Sequence, residues 1–319
     1  MIELGKKEIK IVDVTLRDGG LVNDFYFSDE FALNLYEANL KAGIDYMEFG
    51  YKASKRLFSV QEFGHWKFCE EDHIRKIVNP NEDTLKISVM ADVGRTDFKT
   101  DIIDKKDSVI DLIRVATYIN DIFDAVKMIE HIKEKGYEVT CNIMAVSTAE
   151  DRKLRDGLKI LASSCVDGVY IVDSYGALYP WQTQHLLELY MDIIGNSGKF
   201  VGMHAHNNQQ LAFANTIMAL EYGVEYVDVS MAGIGRGAGN CATEQLVAYL
   251  NSDEYEFPPV CEFIQKNISR LKKEGMKWGY DFPYLVTGML NTHPRDAINF
   301  IGNQGENYID FYKGLYRKI

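Results

Sequence analysis

The stretch DGVYIVDSYGALYPWQTQHLLELYMDIIGNSGKFVGMHAH, residues 167–206, holds one complete structural unit and the strand of the next. Asp167 to Asp173 is a short β-branched apolar run and reads as a buried strand. A helix follows from Pro180 to Ile194, and Phe200 to His206 is again strand-like. The same alternation extends in both directions. Towards the N-terminus, strands are expected at Ile9 to Thr15, Ile44 to Gly50, Leu85 to Ala91, Ser108 to Ala116 and Tyr137 to Ala145. Between them, Ser28 opens a helix in which Phe31, Leu35, Ala38 and Ala42 recur at helical spacing, with Gly43 as the stop. Further helices are expected at Glu71 to Val78, Asn120 to Lys135 and Thr148 to Ser163. Towards the C-terminus come a helix at Gln210 to Tyr222, a strand at Val224 to Met231 and a helix at Ala242 to Leu250.

Eight β-then-α units in about 250 residues predict an α/β fold, a closed (β/α)₈ TIM barrel. A doubly wound open sheet is the alternative, and the uninterrupted run of units favours closure. The barrel domain is expected over residues 1–257. Pro258-Pro259 ends the alternation, and residues 258–319 are expected to form a C-terminal helical extension. Tyr284 to Leu290 and Ala297 to Ile301 look like helices that pack on the barrel's C-terminal face or at a subunit interface.

Composition narrows the possible roles. Of 319 residues, 46% are hydrophobic and 26% charged, which argues for a folded chain. Acids outnumber bases 47 to 35, giving a net charge of −12, so binding to nucleic acid is disfavoured. A local site can still take a small anion where a metal ion or an arginine inverts the field. Cys69, Cys141, Cys165, Cys241 and Cys261 form no CxxC pair, which argues against a disulfide framework and a zinc ribbon. No apolar run reaches the length of a membrane span. A soluble protein of the cytoplasm is expected.

In such a barrel the chemistry lies at the C-terminal ends of the strands. Strand 1 ends in Thr15-Leu-Arg-Asp-Gly-Gly20, and strand 7 in His204-Ala-His-Asn-Asn208. Residues i and i+2 of a strand point to the same side, so the two imidazoles can share one cation. With Asp18 they make a two-histidine, one-carboxylate set suited to a catalytic divalent metal. Zinc, iron, manganese and magnesium are all open on ligand type, and the lack of a thiolate disfavours zinc. Strand 8 runs into the glycine-rich Ala232-Gly-Ile-Gly-Arg-Gly-Ala-Gly-Asn240, a flexible turn or a phosphate cradle, where Asn240 offers a further ligand oxygen. Its place in the last unit excludes a Rossmann fingerprint. Glu48, Asn142 and Ser174 add polar groups at other strand ends. Each alone is weak, since an N-cap would explain Ser174 equally well.

Asp13-Val-Thr-Leu-Arg-Asp-Gly19, His204-Ala-His-Asn207 and Gly233-Ile-Gly-Arg-Gly-Ala-Gly-Asn240 occur in order on strands 1, 7 and 8. This resembles the DRE-TIM metallolyases, the HMG-CoA-lyase-like superfamily, and within it most closely the 4-hydroxy-2-oxovalerate aldolases. Asp173-Ser-Tyr-Gly-Ala177 is similar to those aldolases' DSxGA segment. The resemblance implies a class II pyruvate aldolase that cleaves a 4-hydroxy-2-oxoacid to pyruvate and an aldehyde. It implies Mn²⁺ or Mg²⁺ on Asp18, His204 and His206, with Asn240 as the additional ligand. It also implies Arg17 on the ketoacid carbonyl oxygen and Ser174 on the carboxylate region. An aldehyde dehydrogenase partner belongs to the same expectation, and a homodimer is the default oligomer. Two positions depart from the aldolases: Leu21 stands where they carry a catalytic histidine, and Leu290 aligns with a tyrosine of theirs. Tyr51, His65 and His293 are the candidates for proton transfer. The alternatives are an acyl-CoA lyase, a 2-isopropylmalate- or homocitrate-type synthase with Cys241 as its only hint, and a non-catalytic metal-binding relative.

Overall fold

The computed structural model describes residues 9–79 and 84–318. Eight parallel strands close into a barrel in chain order. They are β1 Lys10–Asp13, β2 Tyr46–Tyr51, β3 Lys86–Asp92, β4 Leu112–Thr117, β5 Glu138–Ile143, β6 Gly168–Asp173, β7 Phe200–Ala205 and β8 Tyr226–Val229. The closing pair is β1 with β8, in register from Lys10 opposite Tyr226 to Asp13 opposite Val229. Most strand residues are buried, because helices cover the outside of the barrel and side chains fill its inside.

The helices follow their sequence signals closely. Ser28 caps the helix Asp29–Ala42, its side chain accepting from the Phe31 amide, and Gly43 ends it at φ +75°. Pro180 sits in the first turn of Pro180–Ile193. Strand 1 is shorter than expected and stops at Asp13. The Asp13 carboxylate accepts from the Thr15 amide at 3.1 Å and from its hydroxyl at 2.8 Å. Those local bonds turn the chain out of the ladder into a helical turn, Thr15–Gly19. Arg17 and Asp18 therefore stand on a turn just above the strand. Strand 8 likewise stops at Val229, short of the expected Met231.

Pro258 and Pro259 lie in the first turn of a helix, Phe257–Phe263, which packs on Asp29–Ala42 through Phe263 and Phe31, with ring centroids 5.3 Å apart. The proline pair thus starts one more element of the outer layer. Beyond it lie the helices Phe282–Met289, Arg295–Gly302 and Tyr308–Tyr316. The last has no counterpart among the sequence expectations. This segment covers the C-terminal face. Trp278 Nε1 donates to the Ala232 carbonyl at 3.0 Å, Asn208 Nδ2 to the Tyr284 carbonyl at 3.2 Å, and Asn291 Nδ2 to the Ser147 carbonyl at 2.9 Å. No described helix is long and apolar enough to cross a membrane.

Candidate metal centre and active site

The i, i+2 spacing on β7 brings the two imidazoles together, with Nε2 of His204 3.3 Å from Nε2 of His206. The turn after β1 delivers Asp18 to the same point. Its Oδ2 lies 3.6 Å from His204 Nε2 and 3.8 Å from His206 Nε2. All three residues are buried, and together they could hold a metal ion. The donors fit such an ion. Two imidazole nitrogens that face each other and a carboxylate need a shared cation or proton between them. A fourth donor stands nearby: His206 bridges to Asn240, whose Oδ1 is buried without a partner. Burial holds His206 well below its ordinary pKa, which favours the neutral, ligating imidazole.

Behind the ligands runs a closed ring of charge. His204 Nδ1 lies 2.9 Å from Asp228 Oδ2, which also accepts from Arg114 Nη2 at 2.6 Å. Arg114 Nη1 donates to Glu48 Oε2 at 2.9 Å, and that oxygen also accepts from Arg17 Nε at 2.6 Å. Arg17 Nη1 then closes the ring on Asp18. Burial opposes ionisation of Asp18, but His206 and Arg17 outweigh it and hold the carboxyl well below the usual range. Asp228 orients His204, as carboxylates behind metal-binding histidines commonly do.

A small pocket opens onto the ligands. Arg17, Leu21, Tyr51, Asn142, Ser174 and Arg236 line it beside the triad. Asn142 Nδ2 is buried without a partner, so one donor is left for a ligand. The Ser174 hydroxyl accepts from the Ala145 amide at 2.8 Å. Glu48 does not line the pocket and lies behind Arg17. His293 is also outside the lining, on the extension, its ring edge-on to Tyr175 at 5.5 Å. His65 is 3.0 Å from Asp29, with its ring tilted against that of Trp66, and does not line the pocket.

The model of the HMGL-like family matches residues 8–268. The chain belongs to the HMGL-like family. It is 32% identical to 4-hydroxy-2-oxovalerate aldolase of Carboxydothermus hydrogenoformans over 251 residues, 78% of this chain and 73% of that one. It is 27% identical to oxaloacetate decarboxylase of Mycobacterium tuberculosis over 248 residues, 76% of this chain and 70% of the relative. Among solved structures, the N-terminal domain of a candidate aldolase from Bacteroides vulgatus matches with TM-score 0.78 at 27% identity, covering 92% of this chain and 96% of that one. Hydroxymethylglutaryl-CoA lyase of Pseudomonas aeruginosa shares the fold, with TM-score 0.68 at 17% identity over 86% of this chain and 95% of its own.

In this HMGL-like protein, sequence reasoning missed Arg114, Asp228 and Arg236. Arg114 and Asp228 had a signal: each is a charge inside an apolar strand run, Leu112-Ile-Arg-Val-Ala116 and Tyr226-Val-Asp-Val229. A charge there must meet a counter-charge in the barrel interior. Several amides of the glycine-rich turn are committed within the protein. Arg236 N donates to Asp18 Oδ1 at 2.9 Å, Gly239 N to the Arg236 carbonyl at 3.1 Å and Asn240 N to the Gly233 carbonyl at 3.1 Å. The opening at the barrel's other end is rimmed by charges that are already paired, Lys10 with Asp45 at 3.0 Å and Lys86 with Glu138 at 2.7 Å.

Proposed function

We propose that the protein is a divalent-metal-dependent carbon–carbon lyase that cleaves a 4-hydroxy-2-oxoacid to pyruvate and an aldehyde. The observation that carries this reading is the meeting of three buried ligand atoms with Arg17 in one pocket. Asp18, His204 and His206 would hold the cation, with Asn240 Oδ1 as a fourth donor. The mixed oxygen and imidazole set suits Mn²⁺, and Mg²⁺ after it. When bound, the cation supplies Lewis-acid polarisation of the 2-oxo group. Arg17 offsets the negative charge that grows on the enolate oxygen. The unpaired Asn142 amide and the Ser174 hydroxyl receive the carboxylate.

Cleavage of the C3–C4 bond leaves its electron pair on the pyruvate portion as an enolate. The C4 hydroxyl gives its proton to water and becomes the aldehyde carbonyl, since the wall at Leu21 carries no base. Tyr51 then donates a proton to C3 and regains one from the solvent that took the hydroxyl proton. Burial pushes its phenol up, so it stays protonated through the neutral range and acts as an acid.

Purified protein with Mn²⁺ should release pyruvate from short 4-hydroxy-2-oxoacids, and His204→Ala should lose both metal binding and pyruvate release. Intact metal binding with no pyruvate from a broad panel would sink the reading. The mycobacterial relative's name adds oxaloacetate to that panel, because loss of CO₂ from it leaves the same enolate. A CoA-condensing reading has less support: Cys241 is buried, and burial pushes its thiol up to about 12. The exposed Phe282, Tyr308 and Tyr316 support a docking role for the extension, in a homodimer or towards a dehydrogenase that takes the aldehyde. Five unpaired cysteines support a cytoplasmic setting.

A further inference from the structure

Arg236 stands apart from the other cations around the pocket. Arg17 spends Nε on Glu48 and Nη1 on Asp18, and Arg114 is shared between Glu48 and Asp228. Arg236 makes no ion pair among the described residues. Its guanidinium donates from Nη2 to the Ser174 carbonyl at 2.5 Å, and its Nε is buried without a partner. A buried donor left unpaired is costly. On a chain with 47 acids to 35 bases, a pocket-lining guanidinium with no counter-ion calls for an anion from outside. The bond from its amide to Asp18 fixes the reach of this side chain from the ligand triad.

His293 lies on the extension just outside the lining, its ring edge-on to that of Tyr175, the residue next to the Ser174 carbonyl that Arg236 holds. Its Nδ1 accepts the Arg295 amide at 3.0 Å. A neutral imidazole that accepts at Nδ1 carries its proton on Nε2 and can only donate there. Burial, with the guanidiniums of Arg236 and Arg295 nearby, pushes its pKa down to about 4, so that neutral form persists. His293 is therefore a donor rather than the base expected from sequence. Arg95 adds its positive field to the same place.

We propose that Arg236 and His293 form a subsite for an anionic group, a carboxylate or a phosphate, on the aldehyde portion of the substrate. The inference rests on the aldolase reading above: pyruvate occupies the ligand triad and Arg17, and Arg236 takes the part beyond the C3–C4 bond. The extension supplies one half of the subsite, which places it at the rim and not at the floor.

The test uses the full chain with Mn²⁺. Deuterium exchange into the pyruvate methyl group, followed by NMR in D₂O, reports enolate formation with no aldehyde present. Aldol addition is then compared between matched acceptors: succinic semialdehyde against butanal, and glyceraldehyde 3-phosphate against glyceraldehyde. One anionic member should exceed its neutral partner in kcat/KM by about 10- to 100-fold, the range of a hydrogen bond to a charged group. Which pair shows the preference separates carboxylate from phosphate. Arg236→Met should bring that ratio close to one, chiefly through KM, while Arg236→Lys keeps part of it and His293→Phe lowers it. Equal kcat/KM within both pairs in the parent protein overturns the subsite, with no variant needed. An Arg236→Met loss that falls equally on pyruvate exchange puts Arg236 on the 2-oxoacid itself and also overturns it. Absence of exchange in the parent protein overturns the aldolase reading and the subsite with it.

Discussion

Asp228 offers no ligand atom to the triad, yet it governs one. It lies against His204 Nδ1 at 2.9 Å and so keeps Nε2 turned towards Asp18 and His206. Asp228→Asn should weaken Mn²⁺ affinity by about 10- to 100-fold, measured by titration calorimetry. An unchanged affinity would mean that the ring of charges does not orient the ligand. At this scale the sequence is legible in part. The meeting of Asp18 with His204 and His206 can be read, because alternation on a strand puts i and i+2 on one side. The ring behind them cannot be read. Arg114 and Asp228 sit in runs whose strand character is set by their apolar neighbours, and their pairing exists only after β4 and β8 face each other across a closed barrel.

The turn after β8 is the element that places Asn240. Gly233 and Gly239 hold φ of +63° and +81°, and a Cβ on Gly239 would stand 2.0 Å from the Gly233 carbonyl oxygen. The turn is thus a fixed wedge and not a loose linker. Gly239→Ala should cost about 1–3 kcal/mol by urea denaturation and weaken metal binding as Asn240 shifts. Element boundaries show where sequence reading stops. The apolar run Ile9 to Thr15 has strand character throughout, but Asp13 captures the Thr15 amide and ends the strand early. Competition between a side chain and a ladder is decided by geometry that hydrophobic spacing does not record. The same holds for Tyr308–Tyr316, whose ring contacts with Phe282 and Phe300 appear only once the extension is folded.

For the whole molecule, buried carboxyls tie stability to pH. Burial raises Asp13 from 3.8 to about 7, although Thr15 bonds to it. The folded state therefore keeps a proton that the unfolded chain releases near pH 4. This contribution is complete below the unfolded value and is lost as pH rises through about 7. Asp173, raised by burial to about 6, acts in the same sense. His206 and His293, both lowered by burial, act in the opposite sense over part of this window, so the Asp13 contribution is read as a difference: the stability of Asp13→Asn relative to the parent protein, from urea midpoints, should climb as pH rises from 4 to 7, and a constant difference would contradict the assignment. The charged ring also bears on how the barrel assembles. Arg114 on β4 draws one carboxylate from β2 and the other from β8. A half-barrel that ended at β4 would leave this guanidinium with one partner, in an interior where a lone charge is heavily penalised. Fragments and partly closed sheets are thereby disfavoured, and the first and last strands are bound into one all-or-none folding event by an arginine midway between them.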